Sequence, residues 1–505
     1  MRSSGVLLAI SSLPSDYGFG TLGEEAKYFI DFLKLAKQSY WQILPINPTS
    51  MGDSPYQSFS SYAGNPYMID LKLLVSDELL TWDEVNEIDW ECAEDYINYG
   101  ALYNKRYPLL RKAFERFNVE DKDFLKFVKD SKWLKDYALF MAIKNHFNNV
   151  SFLKWDKEYI VRDPKTLAAF EKENKEEILF WEFIQFEFYK QFNEIKAYAN
   201  RNGIKLIGDC PMFVSLDSCD VWANPESFQL DKNLQPVKVA GCAPDGFSAT
   251  GQRWGNPLYD WKTLKKDGYK YWLDKLEHLS KIYDVIRIDH FVGFESYYTI
   301  DAEREDGLVG KREKGPGMDL FNTIEKKLGK VEIIAEDLGT ITPEVVKLLE
   351  DTGFDGMSVL MFAFGGDKNN PYLPHFSKPN KVGYIGTHDN EPVMEFLHTR
   401  NDWEKNRIKA YIGCKDEEEF NWDMIRELES LECNRVIIQA QDLIGLEGWS
   451  RMNTPGTSGN NWRWRLKRFQ LNDDVAVRLG KLTEVFDREY IEPVKEKTEE
   501  EKKEK

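Results

Sequence analysis

The sequence predicts an α/β protein built as a TIM (β/α)8 barrel with large, mainly helical insertions after barrel strands. Three observations predict it. Eight short apolar, β-branched runs, each bounded by turn residues, are spread along the 505-residue chain. Amphipathic helical stretches separate most of them, and strand–helix alternation repeated eight times suits a closed parallel barrel. Four of the runs end in a carboxylate, and strand C-termini are where such a barrel collects its functional groups. A doubly wound open sheet is the competing architecture, because it uses the same alternation.

In chain order, the first run is GVLLAI from Gly5, followed by the helical pattern EEAKYFIDFLKLAK. The second is YWQILPI from Tyr40. Residues 47–203 then carry long helical patterns, among them DYALFMAIKNHF and ILFWEFIQFEFYKQFNEIKAYA, and read as an insertion after a barrel strand. IKLIGDCP from Ile204 is the third run. A second insertion over 213–283 follows, rich in Gly, Pro, Asn and Trp. Within it the stretch from Ala240 to Trp254 shows neither helical nor strand periodicity and reads as an irregular loop beside the barrel mouth. The remaining runs are VIRIDHF (Val285), VEIIAEDL (Val331), DGMSVL (Asp355), KVGYIGTHD (Lys381) and NRVIIQAQDL (Asn434). One catalytic barrel over 1–490 therefore contains both insertions, and the charge run over 491–505 is expected to be disordered.

Bulk properties exclude several classes. Hydrophobic residues make up 42% of the chain, enough for a sizeable core. A net charge of −18 repels nucleic-acid phosphates, so no nucleic-acid partner is expected. The six cysteines form no C-x-x-C pair, which leaves neither a zinc motif nor a disulfide framework. The first apolar run is too short for a signal peptide, and no stretch approaches the roughly 20 apolar residues of a membrane span. A cytoplasmic protein without a membrane partner is the expectation; the sequence does not set its oligomeric state. Gly18, Gly20 and Gly23 spell G-x-G-x-x-G, but Leu13, Pro14 and Ser15 separate them from the strand, so the tight phosphate-binding turn is not formed.

The carboxylates at run ends are Asp209, Asp289, Glu336 and Asp389. A lone Asp after a strand is commonly the N-cap of the next helix. Four together, three with a polar neighbour in the strand, point to a site. Side chains alternate along a strand, so Arg287 and Asp289 share one face while Ile286 and Ile288 share the other. The Arg287 guanidinium is expected to lower the pKa of Asp289 and hold it ionised, as a nucleophile at a sugar C1 requires. Glu336 ends a long apolar run, where desolvation raises a carboxyl towards the range of a general acid. Two carboxyls on adjacent strand ends can stand about 5 Å apart, the separation used by retaining glycosidases. Asp389 is placed to stabilise a positively charged transition state, with His388 donating to a sugar hydroxyl. By alternation, Asp337 faces the outer helices.

These residues stand in a longer series of strings: RSSGVLLAISSLPS, YWQILPINPT, GDSPYQSFSSYAGNPYMIDL, FSATGQRWGNPLYDW, RIDHF, AEDLG, GTHDN and RMNTPGTSGNNWRWR. From Arg2 to Arg465 the chain resembles the amylomaltases, the bacterial 4-α-glucanotransferases of glycoside hydrolase family 77, which are related to the α-amylases. The resemblance implies a retaining transfer of α-1,4-glucan segments between glucans or maltooligosaccharides, without metal or organic cofactor. It implies Asp289 as nucleophile, Glu336 as general acid/base and Asp389 as transition-state stabiliser. It further implies substrate contacts from Arg287, His290, His388 and Asp337, from the aromatics Tyr56 and Trp254 with Ser54 and Gln252 beside them, and from Asn461; Asp209, as an acid at the end of the third run, is a further candidate for substrate binding. An α-amylase-like retaining hydrolase would share the three acids and is the alternative. Three departures from the family pattern stand out: Val292 where an Arg is usual, Gly246 where a Tyr is usual, and Glu391-Pro392-Val393 where an acid and two threonines are usual.

Overall fold

The computed structural model describes residues 2–244, 248–366 and 368–489 of the chain. All eight runs become parallel strands of one sheet: β1 (Ser3–Leu7), β2 (Tyr40–Gln42), β3 (Lys205–Cys210), β4 (Val285–Ile288), β5 (Ile333–Ala335), β6 (Gly356–Val359), β7 (Lys381–Tyr384) and β8 (Arg435–Gln439). Their hydrogen-bonded order is β6-β7-β8-β1-β2-β3-β4-β5. The circle closes where Ile334 bridges Asp355 and the Ala335 N–H donates to the Asp355 carbonyl at 2.8 Å. The barrel is closed, and the open sheet is excluded.

Strands covered on both faces read as mainly apolar runs, and β1, β2, β4, β5 and β6 are buried along their whole length, with Arg287 the charged residue that β4 turns into the barrel. Close packing also dictates one glycine in β3. A Cβ on Gly208 would stand 2.2 Å from the Tyr283 ring, so only glycine lets the strand that carries Asp209 lie against that residue. The glycines of the G-x-G-x-x-G string serve packing too, since a Cβ on Gly20 would stand 1.9 Å from the Ile10 carbonyl.

Between β2 and β3 the chain is helical, as expected, with long helices over Tyr99–Arg116, Leu134–His146 and Lys175–Arg201. The last buries Phe180, Trp181, Phe183, Ile184, Phe188 and Phe192. Each such side chain contributes about 1.5–3 kcal/mol of transfer free energy, enough to tie the insertion to the barrel. The segment between β3 and β4 differs from expectation. Lys238–Cys242 and Gln252–Pro257 pair antiparallel, and Ser296–Asp301 and Lys311–Lys314, beyond β4, complete a four-stranded sheet in the order Gln252–Pro257, Lys238–Cys242, Ser296–Asp301, Lys311–Lys314. Both ends of the stretch from Ala240 to Trp254 are therefore strands, not irregular loop. Gly241, Gly251 and Gly255 interrupt the β-branched alternation that marks a strand, and Lys238–Cys242 also takes a partner strand, Ser296–Asp301, that lies beyond β4, so local sequence concealed the sheet. The tail over 491–505 lies outside the described residues. Among the described residues no helix is long and apolar enough to cross a membrane.

Candidate active site

Hydrogen bonding continues past the ends of β3, β4 and β5 and fixes the residues there. The Asp289 N–H donates to the Cys210 carbonyl at 3.1 Å, the Glu336 N–H to Ile288 at 3.0 Å, and the Phe291 N–H to the Glu336 carbonyl at 3.0 Å. Asp209 pairs in register with Arg287, so both point into the barrel mouth together with Asp289. Arg287 Nη1 donates to both oxygens of Asp209, at 2.8 and 2.7 Å, and to Asp289 Oδ1 at 3.2 Å. Asp209 also accepts from the Tyr56 hydroxyl at 2.7 Å. With only 1% of its side chain exposed, Asp209 is buried beneath the site and orients Arg287 and Tyr56.

This sharing corrects one expectation. Burial pushes the Asp289 carboxyl up to about 6; Arg287 opposes the rise, and the charges of Asp209 and Asp389 add to it. The guanidinium is committed mainly to Asp209, so its pull on Asp289 does not bring the carboxyl below its ordinary value. Glu336 is raised well above the usual carboxylate range, first by burial and then by the Asp289 charge. Two backbone donors partly oppose this: His290 N–H to Oε2 at 2.7 Å and Leu338 N–H to Oε1 at 2.9 Å. Burial and the mutual repulsion of the two carboxyls favour a state in which Asp289 is ionised while Glu336 keeps its proton.

His290 adopts φ +52°, a left-handed conformation that costs a non-glycine residue roughly 1–3 kcal/mol and is tolerated where the fold enforces it. The turn aims its N–H at Glu336. Burial drives the His290 imidazole down to about 4, so the ring is neutral, and it meets the Trp254 ring edge-on with centroids 4.9 Å apart. Trp254 Nε1 donates to Gln252 Oε1 at 3.1 Å. On the opposite side Tyr56 stacks on His388, centroids 5.3 Å apart, with Trp462 beside both. Ser54 Oγ accepts the Tyr56 N–H at 3.2 Å and sets the turn that presents the ring.

Asp389 sits on the loop after β7. The Asn390 side chain accepts from the Thr387 N–H and hydroxyl at 2.9 and 3.1 Å and closes this loop. Asp389 Oδ1 lies 3.4 Å from His388 Nε2 and accepts from Asn453 Nδ2 at 2.7 Å. Arg451 donates to the Asp389 carbonyl. Asn453 and Arg451 were not singled out from the sequence, although both lie in RMNTPGTSGNNWRWR; a partner more than 60 residues away has no local signature.

Two expected contacts are engaged elsewhere. Asp337 accepts from the Met357 N–H at 2.6 Å and pairs with Lys381, tying the end of β5 to β6 and β7. Asn461 bonds within its own loop, accepting from the Thr454 N–H at 3.1 Å and donating to the Thr457 hydroxyl at 3.2 Å. Of the departures, Val292 is buried, and Gly246 lies outside the described residues. Glu391 pairs with Arg400 at 2.8 Å and Arg451 at 3.7 Å, so it supports the arginine that holds Asp389. The Val393 N–H donates to buried Asp442 at 2.8 Å. Among the described residues no group of three or more His, Cys, Asp or Glu is placed to hold a metal ion.

The family model described as 4-alpha-glucanotransferase matches residues 8–472. A 4-alpha-glucanotransferase of Clostridium butyricum is 46% identical over 483 residues, covering 95% of this chain and 99% of that protein. One from Thermus thermophilus is 40% identical over 500 residues, 96% and 99% of the two chains. Among solved structures, an amylomaltase from Streptococcus agalactiae in complex with acarbose superposes with a TM-score of 0.95 at 39% identity, over 97% of this chain and all of that one. With the acid-bearing strand ends in place and the likeness spanning almost the whole chain, this protein belongs to the 4-alpha-glucanotransferase family.

Proposed function

We propose that the protein is a 4-α-glucanotransferase that moves α-1,4-glucan segments to the 4-hydroxyl of another glucan or of glucose by a retaining double displacement. The observation that carries the mechanism is the pair of carboxyls at neighbouring strand ends, Asp289 at about 6 and Glu336 raised well above its ordinary value. Asp289 attacks C1 of the glucose at the cleavage point while Glu336 gives its proton to the leaving 4-oxygen. The bond from Asp289 to C1 removes the aspartate charge that had raised Glu336, so the glutamate, now ionised, holds its next proton less tightly. It then takes the proton of the incoming 4-hydroxyl as that oxygen attacks C1 and releases Asp289.

In this reading Asp389, oriented by Asn453 and His388, faces the positive charge that develops on the ring. Arg287, His290 and His388 contact the reacting sugar, while Tyr56 and Trp254 flank the glucan with Ser54 and Gln252 supporting them. Asp209 positions Arg287 and Tyr56. The helical insertion over 47–203 and the sheet-bearing one over 213–283 belong to a single catalytic unit, as walls of the glucan cleft. The carboxyls supply nucleophile, acid and base, so the scheme calls for no cofactor. A cytoplasmic location suits an enzyme acting on intracellular glucans.

Incubation with maltotriose tests the reading. A transferase yields glucose together with maltooligosaccharides longer than three units. Formation of glucose and maltose alone would assign the chain to the hydrolases, and no turnover would refute an enzymatic role.

A further inference from the structure

An aromatic strip on the outer surface lies apart from the bond-breaking centre. The helix Asp402–Ile412 is capped by Asn401 and Glu404, and Ile408 is its one buried side chain. Trp403, Arg407 and Tyr411 recur every four residues and so share one face of it. Trp403 is 63% exposed and Tyr411 37%. The Arg407 guanidinium lies 5.4 Å from the centroid of the Trp403 ring and donates to the Gly366 carbonyl at 2.7 Å. At the other end the Tyr411 hydroxyl is 2.8 Å from His375 Nδ1, the two rings stack at 6.2 Å, and the exposed Phe376 ring lies 4.3 Å from the imidazole. From Trp403 to Tyr411 the helix rises about 12 Å.

The segment after β6 makes the strip continuous with the barrel mouth. Gly366 receives Arg407, and the Phe364 ring meets Tyr411 at 5.7 Å. Further along the same segment, Tyr372 packs on Phe362 at 5.5 Å and lies near enough to Asp337 and Glu336 to feel both charges. One face of this segment therefore looks towards the general acid and the other supports the strip.

The chemistry of the strip identifies its ligand. Rings alternate with a guanidinium, a phenol and an imidazole, which matches a chain of sugars whose CH faces stack on aromatics and whose hydroxyls need donors and acceptors. A net charge of −18 disfavours a second copy of the chain, whereas an uncharged polysaccharide meets no such repulsion. We propose that the strip from Trp403 to Phe376 holds a stretch of α-1,4-glucan outside the catalytic centre, so that a long chain is gripped at two places and held by their combined affinity. This rests on the glucan specificity of the centre.

The test compares the full-length protein with its Trp403→Ala/Tyr411→Ala variant. Adsorption to insoluble amylose is measured in the cold without added oligosaccharide, and maltotriose disproportionation is measured separately. The variant should bind amylose at least about tenfold more weakly, as truncation of two exposed aromatic anchors implies, and should turn over maltotriose at the parent rate. Equal adsorption of the two proteins, or no adsorption of the parent, would overturn the proposal. So would a parent dimer that the substitutions dissociate, since the strip would then be an interface between copies. A parent that fails to disproportionate maltotriose refutes the transferase reading instead, independently of the adsorption result.

Discussion

At pH 7 Asp289, with its carboxyl at about 6, is mostly ionised, while Glu336 is the one raised well above its ordinary value and favoured to keep the proton, and the reaction needs both states at once. Acidification through 6 protonates the nucleophile, so kcat/KM for maltotriose should fall about tenfold per pH unit below 6. A profile flat from pH 7 to 4 would remove Asp289 from the role. Replacing Asp289 by Asn keeps the shape but deletes the charge. Turnover should drop roughly 10³-fold or more, as for other covalent nucleophiles, and the Glu336 carboxyl should titrate at lower pH than in the parent, read by 13C NMR of labelled glutamate. An unchanged Glu336 titration would mean that burial alone sets its value. Asn453 makes a 2.7 Å bond to Asp389, and hydrogen bonds to charged groups contribute about 1.5–3 kcal/mol. Asn453→Ala should therefore lower kcat about 10- to 100-fold with little change in KM. A rise in KM alone would make Asn453 a simple binding residue.

Among the elements, β5, β6 and β7 are joined at their ends by the ion pair of buried Asp337 with half-buried Lys381. Lys381 opens β7 and reaches Asp337, whose other oxygen accepts the Met357 N–H of β6. Removing the ammonium leaves a buried carboxylate with a single backbone donor, so Lys381→Met should cost about 3 kcal/mol in urea unfolding. The Asp337→Asn/Lys381→Met double variant should regain part of that loss, because no charge is left unpaired. If it is as unstable as the single variant, the pair is not coupled. The eight barrel strands were legible because buried parallel strands need unbroken apolar runs. The side sheet over 238–314 was not legible, since its strands are short, the first two carry glycines, and the sheet is completed only by partners on the far side of β4.

Over the whole molecule, stability carries a record of acids buried without cations. Asp442, at the foot of the loop that bears Asp389, is pushed up to about 7 by burial. Its Oδ1 accepts from Val393, and Oδ2 is buried without a partner. Between its ordinary value of 3.8 and about 7, the folded chain holds a proton that the unfolded chain releases. The contribution of Asp442 is thus most favourable below pH 3.8 and is lost as pH rises through 7. Asp442→Asn carries no titrating proton. Thermal unfolding of this variant should show a smaller decline in Tm from pH 4 to 7 than that of the parent. Parallel Tm curves would show that Asp442 does not titrate in that interval.

The sequence by itself determined the barrel, the four acid-bearing strand ends and the family. Apolar periodicity records which faces are buried, and the costly placement of carboxylates after apolar runs marks where they are used. Strand alternation also assigned Arg287 and Asp289 to one face, and the two side chains meet at 3.2 Å; Asp337, expected to face the outer helices, is held by Met357 and Lys381 of the neighbouring strands. Tertiary structure decided what each charge does. Arg287 was expected to serve Asp289, yet it binds chiefly Asp209, because register places that buried carboxylate directly opposite it on β3. Asn453 became the partner of Asp389, and Asn461 closed its own loop, by contacts that no spacing encodes. A pKa follows from burial and from all charges within a few ångströms, and those distances exist only once distant strands have been brought side by side.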